Sequence, residues 1–500
     1  VMTAERDLLH LALDDAERRV PGATAIRDAA GDWTYRQLAR FSREFAAWLV
    51  RLGIGRGDRI LVQLPAGRRM AGMLFGVSRA GGVFVPVNPA TKAFHLRSIA
   101  ADADPALVVT SAEAVRMWHG IVDVPVVELD ELTCELQGEQ VAGPTVHVSS
   151  SADPAVLIYT SGSTGTPKAV VCPHRQVMFA CRTLVAVLGY HAEDVVFCRF
   201  PLSWDYGLYK VLMTCLAGCT IVLADGESDL RLLGRMRETG TTVVPIVPSF
   251  AGMILRLARR ERGILPPIRM FTNTGAALAP AVADELSLRF PGARVIRQYG
   301  QTEAKRITVM PPEEHGERPG SVGRPLPGTH VSILDPHGGE VPVGEIGEIV
   351  VSGPNVMDGY WRNSEATRKV FRRDEADGSI RLHTGDYGFV DEDGYLYFHG
   401  RHDEVFKRKG IRMSTVEIEH AATDIPGVEA AAVLPPGDSH DLAIFVESTA
   451  SVAKVLDGLR ERLEPAKVPV ICRVVAALPR TVHGKSARQA LARLLERGDP

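Results

Sequence analysis

The stretch that most constrains this chain is Tyr159–Lys168, YTSGSTGTPK, set directly behind the apolar run Ala155-Val156-Leu157-Ile158. The apolar run reads as a buried strand bounded by turn residues. The glycine-, serine- and threonine-rich segment after it can turn sharply and aim backbone N–H groups and hydroxyls at one centre. An anion, above all the phosphates of a nucleotide, is the natural occupant. The spacing is not that of the common P-loop: Pro167 stands five residues after Gly162, and no Gly-Lys-Ser/Thr follows. No G-x-G-x-x-G occurs here either. A flexible linker has a similar composition, but linkers rarely sit flush against a core strand.

Five hundred residues exceed one ordinary hydrophobic core, so at least two domains are expected. The balance of 45% hydrophobic and 23% charged residues is that of a soluble globular protein. A net charge of -3 gives no basic footprint for nucleic acid or an anionic membrane. No apolar run is long enough to span a bilayer. The opening VMTAERDLLHLALDDAERR alternates charged with apolar residues, as an amphipathic helix does and a signal peptide does not. Seven cysteines, among them Cys181, Cys198, Cys215 and Cys472 in apolar contexts, lack CxxC or Cys/His metal spacing. Reduced core thiols in a cytoplasmic protein are the reading.

Along residues 33–64, a helix with apolar residues at three- and four-residue spacing gives way at Gly53-Ile54-Gly55 to a strand. Another helix–strand unit ends in SRAGGVFVPVNP (78–89), and short apolar runs follow at 106–110 and 124–127. Strands alternating with helices argue for a layered α/β domain with largely parallel sheets. Strands are also expected at Val195-Val196-Phe197 and twice within 240–276. GEIGEIVVSGPNVMDGYW (344–361) reads as hairpin strands of a smaller β subdomain. At Gly275-Ala276-Ala277 small residues would let a flat base approach the backbone. Asp205, in PLSWDYGLYKVLM, follows a strand end and precedes an apolar helical stretch, where a helix N-cap is its ordinary role.

Four further motifs follow in order: Gln298-Tyr299-Gly300-Gln301-Thr302-Glu303, HTGDYG (383–388), FHGRHDEVFKRKG (398–410) and LPRTVHGKSARQAL (478–491). Together with YTSGSTGTPK, and loosely with residues 33–40 and 78–89, they resemble the adenylate-forming superfamily. Acyl-CoA synthetases, luciferases and the adenylation domains of nonribosomal peptide synthesis belong to it. The family's Tyr-Gly-x-Thr-Glu is matched completely. Its Pro-x-x-x-x-Gly-Lys-x-x-Arg is satisfied by Pro479, Gly484, Lys485 and Arg488, with His483 where Asn is commoner and Ala487 where Asp is common.

The resemblance implies an α/β fold: a large N-terminal domain, 1–401, with layered α/β subdomains and a β subdomain, and a small mobile α+β lid, 402–500, hinged at Asp403. It implies that Thr160, Ser161, Gly162, Ser163, Thr164, Gly165 and Lys168 cradle the phosphates of ATP. Gly275, Ala276, Ala277, Tyr299, Gly300 and Gln301 would also bind ATP, with Tyr299 stacked on adenine. Thr302 would contact the α-phosphate and Glu303 hold Mg²⁺. Asp386 and Arg401 would hold the ribose, and Lys485 would bridge carboxylate and phosphate oxygens. The chemistry agrees, since a hard cation between phosphates needs a carboxylate and a diol suits one whose two oxygens each accept an O–H.

In amino-acid-activating members, an aspartate two residues after a Ser and behind an aromatic pairs with the substrate ammonium; Ser203-Trp204-Asp205 fits. By the same resemblance Tyr206, Tyr209, Pro245, Thr272, Thr274, Gln298, Arg306 and Ile307 line the side-chain pocket, unless Arg306 points into structure instead. That pocket is more polar than one for Leu or Phe. The implied reaction activates an amino-acid carboxylate with ATP, releases pyrophosphate, and passes the acyl group to a thiol. The thiol would belong to a separate carrier protein's phosphopantetheine or to CoA, with the enzyme freestanding or an excised domain, and monomeric. A carboxylate–CoA ligase with a structural Asp205, and a nucleotide-binding pseudoenzyme, remain the alternatives.

Overall fold

The computed structural model describes residues 7–496 apart from 138–148, 161–166, 225, 276–277, 312, 315–316, 375–377, 402–404, 409–410, 438–439, 464, 466 and 480–486. Two large sheets organise the first 325 residues. The six-stranded sheet runs in the order Val126–Glu128, Leu107–Thr110, Arg59–Gln63, Val83–Pro86, Pro154–Thr160, Lys168–Pro173. Its strands are parallel except the last pair. The nine-stranded sheet has a parallel centre from Arg294–Gln301 through Met270–Asn273, Val243–Ile246, Val195–Cys198 and Thr220–Leu223 to Thr24–Asp28. Antiparallel strands close both its ends. Central strands such as Val83–Pro86 and Val243–Ile246 are buried at every position, which is why they read as continuous apolar runs rather than alternating ones.

The helix Tyr35–Arg51 starts where expected, because Thr34 and Gln37 form a reciprocal capping box. The helix Leu9–Arg19 packs against the helices Arg68–Ala80 and Asp205–Ala217. Two buried histidines anchor it. The Leu9 N–H donates to His174 Nδ1 at 3.2 Å, so that nitrogen carries no proton, and His10 Nδ1 lies 2.9 Å from Ser78 Oγ. Burial first, and the nearby Arg79, lower His10 to about 4; burial and the neighbouring His10 lower His174 to about 3.

Both rings are therefore neutral in the fold and take up protons more readily once it opens. Their contribution is full above the unfolded histidine value near 6.5 and is lost as pH falls towards 4 and then 3. For His10 it is on the order of 3 kcal/mol. Denaturant midpoints measured from pH 7.5 to 4.5 are expected to fall steeply below 6.5, and His10→Gln is expected to flatten that fall.

A five-stranded antiparallel sheet follows: His330–Leu334, Gly347–Ser352, Ile380–Val390 and Phe371–Arg373, with Leu396–Arg401 also on Ile380–Val390. Only one strand of it comes from 344–361, which corrects the expectation of a hairpin there. Gly353, at φ +143°, turns the chain where a Cβ would lie 2.8 Å from the Gly328 carbonyl oxygen, and Pro354 cannot donate to a ladder. The rest of the stretch becomes a strap. It bridges Ala304 through Val356 and Val170 through Tyr360. The Met357 N–H donates to the Glu303 carbonyl, and the Trp361 N–H to that of Ala169.

Beyond residue 404 lie a two-stranded sheet, Val405–Arg408 with Ile411–Ser414, and a three-stranded one, Val428–Leu434, Ala443–Ser448, Ile471–Val474. Apolar residues gather on both faces of the latter.

Candidate active site

The putting-together of the site starts from the strand pair at its base. Lys168–Pro173 returns antiparallel to Pro154–Thr160, with Thr160 opposite Lys168, so the two strands hold the ends of 161–166 side by side. The Thr160 hydroxyl donates to the Lys168 carbonyl at 3.3 Å. The Tyr159 hydroxyl donates to Asp102 at 2.7 Å, tying the strand to the neighbouring helix Ala93–Ala103. Lys168 Nζ lies 5.7 Å from the centre of the Tyr360 ring, on the strap.

The Tyr-Gly-Gln-Thr-Glu motif turns between Arg294–Gln301 and Ala304–Val309, with a register shift at Gly300. A Cβ at Gly300 would stand 3.0 Å from Arg306 Cα, so only glycine lets the two strands approach this closely. Tyr299 packs against Phe398 with ring centres 5.6 Å apart, and its hydroxyl donates to Asp386 Oδ2 at 2.7 Å. Arg401 Nε donates to the other Asp386 oxygen at 3.0 Å. The tyrosine, the aspartate and the arginine thus form one unit. Glu303 accepts from the Tyr360 hydroxyl at 2.7 Å; its burial pushes its carboxyl up, and that donor opposes the push.

A second cluster lies on the helix Asp205–Ala217 and the strand Ala304–Val309. Asp205 is not a helix cap: Trp204 occupies the cap position, and its side chain makes no capping bond. Instead Asp205 Oδ2 accepts from Lys305 Nζ at 2.6 Å. Burial raises the Asp205 carboxyl, but Lys305 and Arg306 outweigh that and hold it below the ordinary carboxylate range. Burial pulls the Lys305 ammonium down to about 7 against the opposing pull of Asp205. The short contact and the depressed carboxyl place the proton on lysine. Lys305 Nζ also sits 5.0 Å from the Tyr209 ring centre and 5.3 Å from that of Tyr206.

Arg306 lies in the same cluster. It is buried, its guanidinium lies 4.9 Å from the Tyr206 ring centre, and its Nε donates to Gln298 at 2.8 Å. Among the described residues, its Nη2, the Gln298 amide nitrogen and the Ser203 hydroxyl are buried without a hydrogen-bond partner. Asn355, on the strap, donates to the Arg306 carbonyl at 2.7 Å and fixes the strand there.

Of the other residues expected to line the side-chain pocket, Tyr206 donates to the Thr272 carbonyl at 2.6 Å. Pro245 and Thr272 are register partners on adjacent strands, and the Thr274 N–H donates to Ile246 O. Ile307 is fully buried in the main apolar core. Gly275 follows the strand Met270–Asn273, and Gln301 and Thr302 lie at the turn before Glu303. Ser161, Gly162, Ser163, Thr164, Gly165, Ala276, Ala277, Asp403 and Lys485 fall outside the described residues.

Sequence reasoning passed over Lys305, Asn355 and Tyr360. A basic doublet, Lys305-Arg306, inside the otherwise buried strand AKRITV was the available signal.

The sequence model of the family described as "AMP-binding enzyme" matches residues 13–361. The chain is an AMP-binding enzyme of the adenylate-forming superfamily. This adenylate-forming ligase is similar to VinN, at 51% identity and a TM-score of 0.75 over 79% of this chain and 98% of that one. VinN structures with L-aspartate and with 3-methylaspartate match as well. CymA of Salinispora arenicola, a probable nonribosomal peptide synthetase, is 33% identical over 94% of this chain, which spans 6% of the length of that protein. Feruloyl-CoA synthase of an Amycolatopsis species is 32% identical over 94% of this chain and 95% of its own. A probable nonribosomal peptide synthetase and a feruloyl-CoA synthase are thus similar to this AMP-binding enzyme at nearly the same identity.

Proposed function

We propose that this adenylate-forming ligase activates an amino acid bearing a second carboxylate, and then passes the acyl group to a carrier-protein thiol. The observation that carries the reading is the buried trio Asp205, Lys305 and Arg306. One carboxylate suits an ammonium. Two cations around it, one with an unpartnered N–H, leave a net positive site that an uncharged side chain would not satisfy. VinN, with aspartate-type ligands, supports the same reading.

In this reaction a substrate carboxylate oxygen attacks the α-phosphorus of ATP, and the bond to pyrophosphate breaks. A thiol sulfur then bonds to the acyl carbon and AMP leaves. No side-chain nucleophile is needed, so the protein positions groups and stabilises charge. Lys168 and the segment it closes would hold the phosphates, Tyr299 the adenine, and Asp386 with Arg401 the ribose. Glu303 fits a Mg²⁺ ligand, being a hard oxygen donor held by Tyr360. Bound there, Mg²⁺ would neutralise phosphate charge.

Substrate-dependent exchange of pyrophosphate into ATP tests the proposal, with acidic amino acids beside their amides, their deamino diacids and aryl acids. Exchange confined to acidic amino acids is the expected result. Exchange confined to aryl acids would overturn it in favour of a CoA ligase like feruloyl-CoA synthase. Tyr360→Phe is expected to raise the Mg²⁺ concentration needed for half-maximal exchange roughly tenfold, since a hydrogen bond to a charged group is worth about 1.5–3 kcal/mol. Losing that donor raises the Glu303 carboxyl further, so the activity of the variant should set in at higher pH.

A further inference from the structure

Lys210 stands one layer behind the trio. It lies on the helix Asp205–Ala217, 3% exposed. Its ammonium donates to the Tyr190 hydroxyl at 3.2 Å and approaches Met213 Sδ at 3.8 Å. Among the described residues no carboxylate lies within ion-pairing distance of it. The Tyr206 ring has three cations around it: Lys210 Nζ at 5.3 Å, Lys305 Nζ at 5.3 Å and the Arg306 guanidinium at 4.9 Å from its centre. A buried ammonium without a carboxylate is destabilising, and an apolar side chain of similar length would serve the core better.

We infer that Lys210 is a specificity-determining residue that reads the acidic side chain from behind Tyr206, as the third positive charge of the site. The inference rests on the proposed acidic amino-acid substrate. It adds that the charge balance of the pocket is set from a deeper layer which does not touch the substrate. The groups facing Lys210 oppose its charge or leave it unsupported. Burial, then Arg306 and Lys305 on the adjacent strand, lower it to about 7; Cys198 and Cys181, on a neighbouring strand and helix, favour the charge only weakly, and Tyr190, Tyr206 and Cys219 complete its surroundings. An incoming carboxylate supplies the missing counter-charge, so part of the Lys210 population binds a proton as the substrate enters.

Lys210→Met, made in the full chain, separates this role from a structural one. The expected results are a melting temperature no lower than that of the parent and a KM for the acidic amino acid raised about tenfold, as for loss of one charge a few ångströms behind a binding site. KM for ATP should be unchanged, and KM for the corresponding amide altered less than twofold. Titration calorimetry with the acidic amino acid near pH 7.5, in two buffers of different ionisation heat, is expected to show net proton uptake that falls in the variant. A lower melting temperature with equal loss on every substrate would overturn the inference and make Lys210 structural. Absence of proton uptake by the parent protein would overturn it even if the variant failed to fold. Preference of the parent for uncharged amino acids would overturn both this inference and the function on which it rests, whereas an acidic preference that Lys210→Met leaves intact would overturn this inference alone.

Discussion

Asp205→Ala is expected to lower amino-acid-dependent pyrophosphate exchange by about two to three orders of magnitude, the size of effect seen when a site loses a buried partner for a substrate's polar group. The same change should raise exchange with the deamino diacid. Without Asp205 the pocket holds Lys305 and Arg306 with no opposing carboxylate, which repels an ammonium and attracts a second negative charge. Stability should fall as well. Breaking a buried pair from one side costs about 3–5 kcal/mol because the survivor is left charged and unpaired. The two effects are separated by Asp205→Ala/Lys305→Met, which removes both charges. That double variant is expected to recover most of the lost stability and none of the activity, so the coupling is large in denaturant titrations and small in exchange rates. If Asp205→Ala leaves exchange with the amino acid within threefold of the parent, Asp205 is a structural partner of Lys305 and the substrate carries no ammonium at this place.

How much of this was legible in the sequence differs from element to element, for physical reasons. Strands buried on both faces, such as Val83–Pro86 and Val195–Cys198, announce themselves as short apolar runs between turn residues. Motifs whose chemistry needs particular residues at fixed spacing, such as Tyr299 to Glu303, are legible for the same reason: geometry restricts the alphabet. The basic doublet marked Lys305 as unusual, but its role was not legible. Its partner lies a hundred positions earlier, and only the meeting of a helix start with a strand makes the ion pair. The strap 353–361 was misread as a hairpin because its apolar content is that of a strand. What decides its path is a left-handed Gly353, a proline without an N–H, and carbonyls of two different sheets that receive its hydrogen bonds. Tyr360 and Asn355 matter for where that path leads, to Glu303 and to Arg306, and nothing in their local sequence says so. Asp205 shows the intermediate case. Its place at the start of a helix was legible, but it is the first helical residue rather than the cap, and its carboxylate is held by Lys305.

Lys485→Ala is expected to slow formation of the acyl-adenylate by about 10²–10³, the usual consequence of deleting one donor aimed at developing negative charge, ~3–4 kcal/mol. The motif Pro479 to Arg488 carries Lys485 directly after Gly484, and the helix Arg488–Glu496 follows it in the chain. By resemblance its target is the pair of oxygens, one from the carboxylate and one from the α-phosphate, between which charge concentrates as the new bond forms. An attraction realised mainly at that moment lowers the barrier more than it tightens ground-state binding, so kcat should fall and KM for ATP change little. The second half of the reaction provides the control. If the lid turns after adenylation and carries the lysine away, thiol transfer from a supplied acyl-adenylate should proceed in the variant within about threefold of the parent rate. Single-turnover measurement of both halves decides the matter. Equal loss in both would place Lys485 in the structure of the lid. A normal adenylation rate would remove it from the chemistry altogether and leave the proposed electrostatic role to Lys168.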